Sequence, residues 1–293
     1  MQLNGKRVVL TGASGGIGEA IVDALAEQGA HLVITGRNKQ KLTQIAHAVR
    51  EMGGVCDVVV ADLGTTEGIF EIQQVVHELG HVDLLINNAG ISEFEAFDIQ
   101  SDDAIEQLLH INLISPMKLT KRLLPYLKAA ERGLIVNIGS TFGSIGYPGF
   151  ASYCASKFGL RGFNEALSRE LADTNVNVCY IAPRATQTAI NSQQVMDMND
   201  ALGVKADSAV WVAEHVVRAV QKDCQRVYLG WPEKFFVRMN ALFPGVVASS
   251  IVKQLPIIRR YLASAPNVDF KNTQHIAIRN NTHIDRLRGK TSC

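Results

Sequence analysis

Two residues four positions apart, Tyr153 and Lys157, have the types and the spacing to move a proton. If the surrounding stretch is helical, their side chains leave the same face, one turn apart. A free tyrosine has a pKa near ~10, and a nearby ammonium favours the phenolate and lowers that pKa. The pair therefore predicts a phenol that gives and takes a proton near neutral pH. Taken alone, so short a motif is more typical of a half-buried tyrosine and a solvated lysine on an ordinary amphipathic helix.

A glycine-rich turn near the start of the chain predicts a site for a dinucleotide. Residues 7–11 form a strand-like run, Gly12-Ala13-Ser14-Gly15-Gly16-Ile17-Gly18 follows, and a helical period then extends to Gly29. Glycines let a ligand approach the backbone, and the start of the helix offers free N–H groups to a pyrophosphate. The alternative is a tight turn that binds nothing, but the strand, turn and helix that the motif requires are all indicated.

Strand-like and helical patterns alternate along the chain and predict a doubly wound α/β fold, with a parallel sheet between two layers of helices. Ligands bind beyond the carboxyl ends of the strands in such sheets. Gly12, Arg37, Asp62 and Asn88 each follow a predicted strand, so we expect them on one rim. The predicted strands are 7–11, 31–35, 55–61, 82–86, 133–138, 176–181 and 226–229.

The other segments have less regular patterns. Residues 101–131 are predicted to be helical, with an interruption at Ser115-Pro116 just after Asn112. Residues 184–206 are polar, have no firm period and are long enough to form a lid. We predict a core of residues 1–230, a helical extension over 231–262 that is broken at Pro244-Gly245 and Pro256, and a disordered tail over 263–293.

Length and composition indicate an ordinary globular enzyme. The 293 residues are 47% hydrophobic and 19% charged, and the formal net charge of +1 argues against general attraction to nucleic acid. The five cysteines are widely spaced without a Cys-x-x-Cys, which favours reduced thiols in a cytoplasmic protein over disulfides or a metal site. We expect no signal peptide, because the first residues lead at once into a strand, and no membrane-spanning segment.

Five motifs in register resemble the short-chain dehydrogenase/reductase family, over about residues 4–230. Each is weak alone, but their shared order and spacing are specific. The resemblance is to the single-domain branch of about 250 residues and implies a Rossmann-type sheet. The motifs are Thr11-Gly12-x-x-x-Gly16-x-Gly18, Asn87-Asn88-Ala89-Gly90, Asn112, Ser140 and Tyr153-x-x-x-Lys157.

The resemblance implies a catalytic role for four residues. Tyr153 would exchange a proton with the substrate oxygen, and Lys157 would lower the pKa of Tyr153 and hold the nicotinamide ribose. Ser140 would hydrogen-bond the substrate oxygen and stabilise its developing charge. Asn112 would order a water molecule between Lys157 and solvent. The hydride itself would move to or from the nicotinamide cofactor.

The resemblance also implies a set of cofactor-binding residues. Arg37 follows the second strand, where an acidic residue would suit NAD(H) and an arginine suits the 2′-phosphate of NADP(H). NADP(H) is therefore favoured over NAD(H), although Arg37 could also be a solvated surface residue. The predicted set is Gly12, Ser14, Gly16, Ile17, Gly18, Arg37, Asp62, Leu63, Asn88, Ala89, Gly90, Tyr153, Lys157 and Thr188, and no metal is expected.

One departure from the family concerns Arg184, which stands where the family usually has glycine after Pro183. Arg184 could bind an acidic group of the substrate or point to solvent. The second departure is the extension from Trp231, whose apolar and basic residues fit packing on the core or on a sister subunit better than contact with a membrane surface.

The resulting function hypothesis is an NADP(H)-dependent reductase or dehydrogenase for a small, apolar carbonyl or alcohol, acting as a homodimer or homotetramer. Met- and Phe-bearing segments of the lid and the extension are the reason for expecting an apolar substrate. The alternative is a non-catalytic protein that senses a dinucleotide or serves as a scaffold. The complete set of four catalytic residues favours the enzyme.

Overall fold

The computed structural model describes residues 1–262, and it contains one seven-stranded parallel sheet in the order β3-β2-β1-β4-β5-β6-β7. The predicted tail, 263–293, lies outside the described residues. Every neighbouring pair of strands is parallel, which confirms the predicted doubly wound sheet. The strands are β1 Arg7–Thr11, β2 His31–Gly36, β3 Val55–Val60, β4 Leu84–Asn87, β5 Gly133–Ile138, β6 Val176–Ala182 and β7 Arg226–Tyr228.

Helices cover both faces of the sheet, as predicted. Along β1, Val8 and Leu10 pack with α1, α2 and α8, whereas Val9 between them packs with α3, α5 and α6. This alternation follows from the two-residue period of a strand. The helices are α1 Gly16–Ala26, α2 Lys39–Glu51, α3 Thr66–Leu79, α4 Asp102–Leu109, α5 Ser115–Ala129, α6 Ala151–Glu170, α7 Gln193–Ala201, α8 Ala209–Gln221, α9 Glu233–Leu242 and α10 Pro244–Tyr261.

The strand order reverses between β1 and β4, which places the carboxyl ends of these two strands side by side. A crevice opens at such a point, because the connections after the two strands leave toward opposite faces of the sheet. The turn that begins at Gly12 and the loop that begins at Asn88 form its two sides. The fold therefore positions the predicted ligand site at this crevice.

The structure differs from the predicted elements in two places. The lid segment contains a helix, α7, whose first turn is capped by the Ser192 hydroxyl, which accepts a hydrogen bond from Val195 N–H. In the extension, Pro256 does not end the helix, because α10 continues through it to Tyr261. A proline removes one backbone donor and favours a kink, but burial of Ile258 on the following turn holds α10 against the core.

Helices α7, α9 and α10 lie over the carboxyl ends of the strands and close the crevice from above. Val195 and Met198 of α7 pack with Phe150 and with Ile258 of α10. Val237 of α9 packs in a second cluster next to β7. The extension thus covers the predicted site, although the domain boundary at residue 230 stays a prediction.

Candidate active site

A cavity of about 300 Å³ lies between the ends of the central strands and the covering helices. Three of the four predicted catalytic residues line it, namely Ser140, Tyr153 and Lys157. Part of the predicted cofactor set lines the same cavity: Ile17, Asn88, Gly90 and Thr188. The structure therefore brings together residues that are more than 160 positions apart in the chain.

Tyr153 and Lys157 both belong to α6, which begins two residues before the tyrosine. The Lys157 ammonium lies 5.8 Å from the centroid of the Tyr153 ring. Lys157 Nζ also donates a hydrogen bond of 3.1 Å to the backbone carbonyl of Ile138, at the end of β5. This bond fixes the long Lys157 side chain in place beside the phenol. Lys157 is buried, with 5% of its surface exposed.

Burial sets the pKa values of this pair in the protein alone. It raises the pKa of Tyr153 to about 12, and the Ser140 hydroxyl lowers it only in part. It also lowers the pKa of Lys157 to about 8. In the protein by itself, burial therefore outweighs any lowering of the Tyr153 pKa by Lys157, whose predicted role stays a prediction. The spacing predicts an ammonium near the phenol, but it carries no information on burial. Burial disfavours both the charged phenolate and the charged ammonium.

Ser140 is held by backbone contacts that leave its hydroxyl at the cavity wall. Ser140 precedes a short 3₁₀ turn, Thr141–Gly143, and its Oγ accepts a hydrogen bond of 3.1 Å from Phe142 N–H. The hydroxyl of Tyr180, on β6, accepts from Ser140 N–H at 3.3 Å and donates to the Ser140 carbonyl at 3.2 Å. The Phe142 N–H occupies one acceptor site of the Oγ, and the Ser140 O–H stays available to donate.

Asn112 lies behind the cavity rather than on its wall. It belongs to a π-helical segment, His110–Ile114, which joins α4 to α5 just before the predicted interruption at Ser115-Pro116; these two residues begin α5. The Asn112 amide exchanges two hydrogen bonds of 2.8 Å with the backbone of Ile91 and donates a third, of 3.1 Å, to Ser156 Oγ. These bonds connect the loop after β4 to α6, and the ordered water stays a prediction.

The predicted glycine-rich turn is packed against the loop after β4. Gly12 has a φ of +68°, and a Cβ there would lie 2.8 Å from Ala89 Cα. Asn88 Nδ2 donates to the carbonyl oxygens of Thr11 and Gly12, at 3.0 and 3.2 Å. A Cβ on Gly18 would overlap the Gly12 carbonyl. Gly12 and Gly18 are therefore needed for the packing of the turn itself. From the sequence, these glycines were explained by the close approach of a ligand to the backbone.

The remaining predicted cofactor residues lie away from the catalytic cavity, beyond β1, β2 and β3. Arg37 is exposed, and among residues 1–262 no carboxylate pairs with it. The Asp62 carboxylate accepts from Gly64 N–H at 2.8 Å through one oxygen. Ser14 Oγ lies near Gly36, and Leu63 is buried. Their role in binding a cofactor stays a prediction.

Two observations indicate that this crevice fits a nicotinamide dinucleotide. Thr188 Oγ1 is buried at the cavity without a hydrogen-bond partner among the described residues, as expected of a group that serves a ligand. Helix α1 begins after Gly15 without a side-chain cap, so its first N–H groups are available to a phosphate.

Arg184 has neither of the roles that the sequence leaves open. Its guanidinium forms a two-point pair with Asp207, with Nε–Oδ2 at 2.8 Å and Nη2–Oδ1 at 2.7 Å. Nη1 donates to the Trp231 carbonyl at 2.8 Å and lies 3.3 Å from Glu233 Oε2. Arg184 thus joins the loop after β6 to the segment before α8 and to the start of α9.

Sequence reasoning missed an aromatic wall in the cavity. Phe142 stacks on Tyr147, with ring centroids 5.1 Å apart, and meets Tyr153 edge-on at 6.4 Å. Phe150 packs against the same rings. Three aromatic residues in a loop otherwise rich in glycine and serine, just before Tyr153, are the signal that could have revealed it.

Two other predicted features concern metals and membranes. Within residues 1–262, no group of three or more His, Cys, Asp or Glu side chains is arranged to hold a metal ion. None of the helices in that range is long and apolar enough to cross a membrane.

The sequence is similar to that of known proteins over most of its length. The sequence profile of the family described as short chain dehydrogenase matches residues 6–199. Hydroxysteroid 11-beta-dehydrogenase 1-like protein A of Xenopus laevis is 35% identical over 252 residues, which cover 84% of this chain and 85% of the relative.

Solved structures with either nicotinamide cofactor share the fold. A short-chain dehydrogenase/reductase from Burkholderia phymatum in complex with NAD has a TM-score of 0.76 at 20% identity, covering 84% of this chain and 96% of its own. A metagenomic short-chain oxidoreductase in complex with NADP has a TM-score of 0.66 at 29% identity, covering 78% and 97%. The first likeness shows the fold alone.

Proposed function

Because the chain belongs to the short-chain dehydrogenase/reductase family of NAD(P)-dependent oxidoreductases, we propose that it interconverts a carbonyl and a secondary alcohol with NADP(H) and with Tyr153 as general acid and base. The observation that carries the proposal is that Ser140, Tyr153 and Lys157 line one cavity. When bound, the nicotinamide supplies or accepts the hydride.

The chain's own residues then handle the proton and the charge on the substrate oxygen. The Tyr153 phenol, neutral at pH 7 because burial raises its pKa to about 12, is a proton donor for carbonyl reduction. The Ser140 hydroxyl donates to the same oxygen and stabilises its negative charge in the transition state. Lys157, anchored on the Ile138 carbonyl, favours the phenolate that remains after proton transfer.

The test of the proton donor is Tyr153→Phe, which keeps the ring and removes the proton. We expect turnover of carbonyl substrates with NADPH to fall about 10²–10⁴-fold, since that is the typical contribution of general acid–base catalysis. NADPH affinity should change little. Near-normal turnover by the variant would contradict the assignment, and a wild type that turns over no carbonyl compound would favour the sensing or scaffolding alternative.

The proposed preference for NADP(H) rests on Arg37. A guanidinium grips a phosphate through two parallel hydrogen bonds, and bonds to charged groups contribute about 1.5–3 kcal/mol, or roughly ten- to a few hundred-fold in affinity. Lys41, which could share this role, is paired with Glu19 at 2.8 Å. Arg37→Asp should weaken NADPH binding far more than NADH binding, as measured by titration of both cofactors.

A matched control for Arg37→Asp is Lys41→Asp, which makes a similar change of charge nearby. We expect the Lys41 variant to keep most of the preference for NADPH. A wild type that binds NADH as tightly as NADPH, or an Arg37 variant with unchanged discrimination, would show that Arg37 is only a surface arginine.

We also propose that the outer surface of the extension contacts anionic membranes peripherally. Apolar side chains there are exposed beside basic residues, with exposures of 65% for Trp231, 71% for Leu242 and 56% for Phe243. Such a surface fits the headgroup region of a bilayer. Flotation with anionic liposomes tests it, and protein that stays off the vesicles would contradict it. A homodimer or homotetramer and a cytoplasmic location stay predictions.

A further inference from the structure

The face that α10 turns toward the cavity carries an apolar stripe and two polar residues, Ser250 and Gln254. Val247, Ile251, Gln254 and Ile258 follow one another at helical spacing. Val247 and Ile251 line the cavity, and Ile258 is buried among the aromatic residues beside it. Gln254 also lines the cavity, at a place where a leucine would complete the stripe. Its presence therefore needs a reason other than packing.

One end of the Gln254 amide, the oxygen Oε1, is hydrogen-bonded within the protein. The Tyr147 hydroxyl donates a hydrogen bond of 3.1 Å to Gln254 Oε1. Tyr147 is itself held by its stack on Phe142, with the ring planes 12° apart. Among residues 1–262 no acceptor bonds the other end of the amide, Nε2. An N–H donor is thus presented beside apolar residues of the cavity wall, where it can bond an acceptor of a ligand.

We propose that Gln254 Nε2 is a second recognition point for the substrate and takes an acceptor oxygen remote from the reacting carbon. This inference rests on the proposed function. The Phe142 ring packs with Tyr153 and with Tyr147, at centroid distances of 6.4 and 5.1 Å, so an aromatic wall connects the reacting end with the tyrosine that bonds Gln254. The substrate class is therefore an elongated apolar ketone or alcohol that carries a second carbonyl, hydroxyl or ether oxygen at its far end.

The test uses fused-ring ketones of one to four rings, each with and without a hydroxyl on the ring farthest from the ketone. We measure kcat/KM with NADPH, and binding to the NADP⁺-loaded protein by equilibrium dialysis. Wild type should favour the hydroxylated member of a pair by about three- to tenfold, the value of one net hydrogen bond. Gln254→Leu keeps the size of the side chain and should abolish that preference. Tyr147→Phe should reduce it.

The matched control is Gln40→Leu, the same chemical change at an exposed position of α2, which should leave the preference intact. A wild type without preference, a Gln254→Leu protein that keeps it, or a protein that binds no member of the series would overturn the inference. If the protein binds the hydroxylated ketones more tightly but turns over none of them, the recognition point is supported and only the proposed reaction is contradicted.

Discussion

At the scale of single residues, Tyr180 is the side chain outside the predicted set with the most direct hold on the site. It is fully buried, and its hydroxyl bonds both the N–H and the carbonyl of Ser140. A Cβ on Gly139 would overlap its ring, so the chain before Ser140 must be glycine to accommodate it. We regard Tyr180 as a positioning residue for the Ser140 hydroxyl.

Tyr180→Phe should lower kcat by roughly tenfold, because a small displacement of a positioned group is costly to catalysis. NADPH affinity should not change. The decisive measurement is a double-mutant cycle with Ser140→Ala: if Tyr180 acts through Ser140, its removal has no further effect on kcat in the Ser140→Ala background. Additive losses in the cycle would instead assign Tyr180 a merely structural role.

The sequence predicted the residues of the site better than their environment. Tyr153 and Lys157 were identified by their spacing and Ser140 by the family resemblance, and all three line the cavity. The raised pKa of Tyr153 and the pairing of Arg184 were not predictable. Both depend on which side chains surround a residue from distant parts of the chain, and a pattern of spacing carries no such information.

At the scale of elements, local patterns were sufficient where one physical cause dominates. The bounds of β1 and β5 agree with the prediction, since a short apolar run bounded by a glycine marks each of them. Helix α7 was missed because its short sequence is mostly polar and its stability comes from Val195 and Met198 packing on α10. For the same reason the helix through Pro256 could not be foreseen.

The attachment of the extension depends on Arg184, which leads to a prediction for α9 and α10. Arg184→Met leaves Asp207 and Glu233 without their cation, and both are mostly buried. Breaking such a pair costs about 3 kcal/mol. We expect faster hydrogen exchange over residues 231–262 than in wild type, and a higher KM with unchanged NADPH affinity.

Arg226→Met is the matched control for this prediction, because Arg226 pairs with Glu165 at an exposed position. Exposed pairs contribute about 0–1 kcal/mol, so hydrogen exchange in the extension should stay as in wild type. Equal exchange in the Arg184 variant and in wild type would show that apolar packing alone holds the extension.

At the scale of the whole molecule, Lys157 should make stability depend on pH. Burial lowers its pKa in the folded state to about 8, from 10.5 in the unfolded chain. Between these values the unfolded state binds more protons, so the free energy of unfolding rises as pH increases from about 7 to 10. The cost of burying the ammonium is fully present below pH 8 and is relieved above it.

Lys157→Met removes this dependence. We expect the free energy of unfolding of wild type, relative to the variant, to rise by roughly 1 kcal/mol between pH 7 and pH 9, as measured by urea unfolding. Lys118→Met, at an exposed position of α5, is the control and should show no such change. A difference between wild type and Lys157→Met that is flat over this range would mean that the buried ammonium keeps its ordinary pKa.

The carboxylates around Arg184 compensate its positive charge at the cavity wall. One guanidinium lies between the carboxylates of Asp207 and Glu233, so the three side chains together carry a formal charge of −1. Arg184 and Glu233 both line the cavity. Because two carboxylates compensate its charge, the guanidinium attracts an anionic ligand less than an unpaired arginine would. The arginine that suggested affinity for acids is thus neutralised by its own neighbours and is no receptor for a carboxylate.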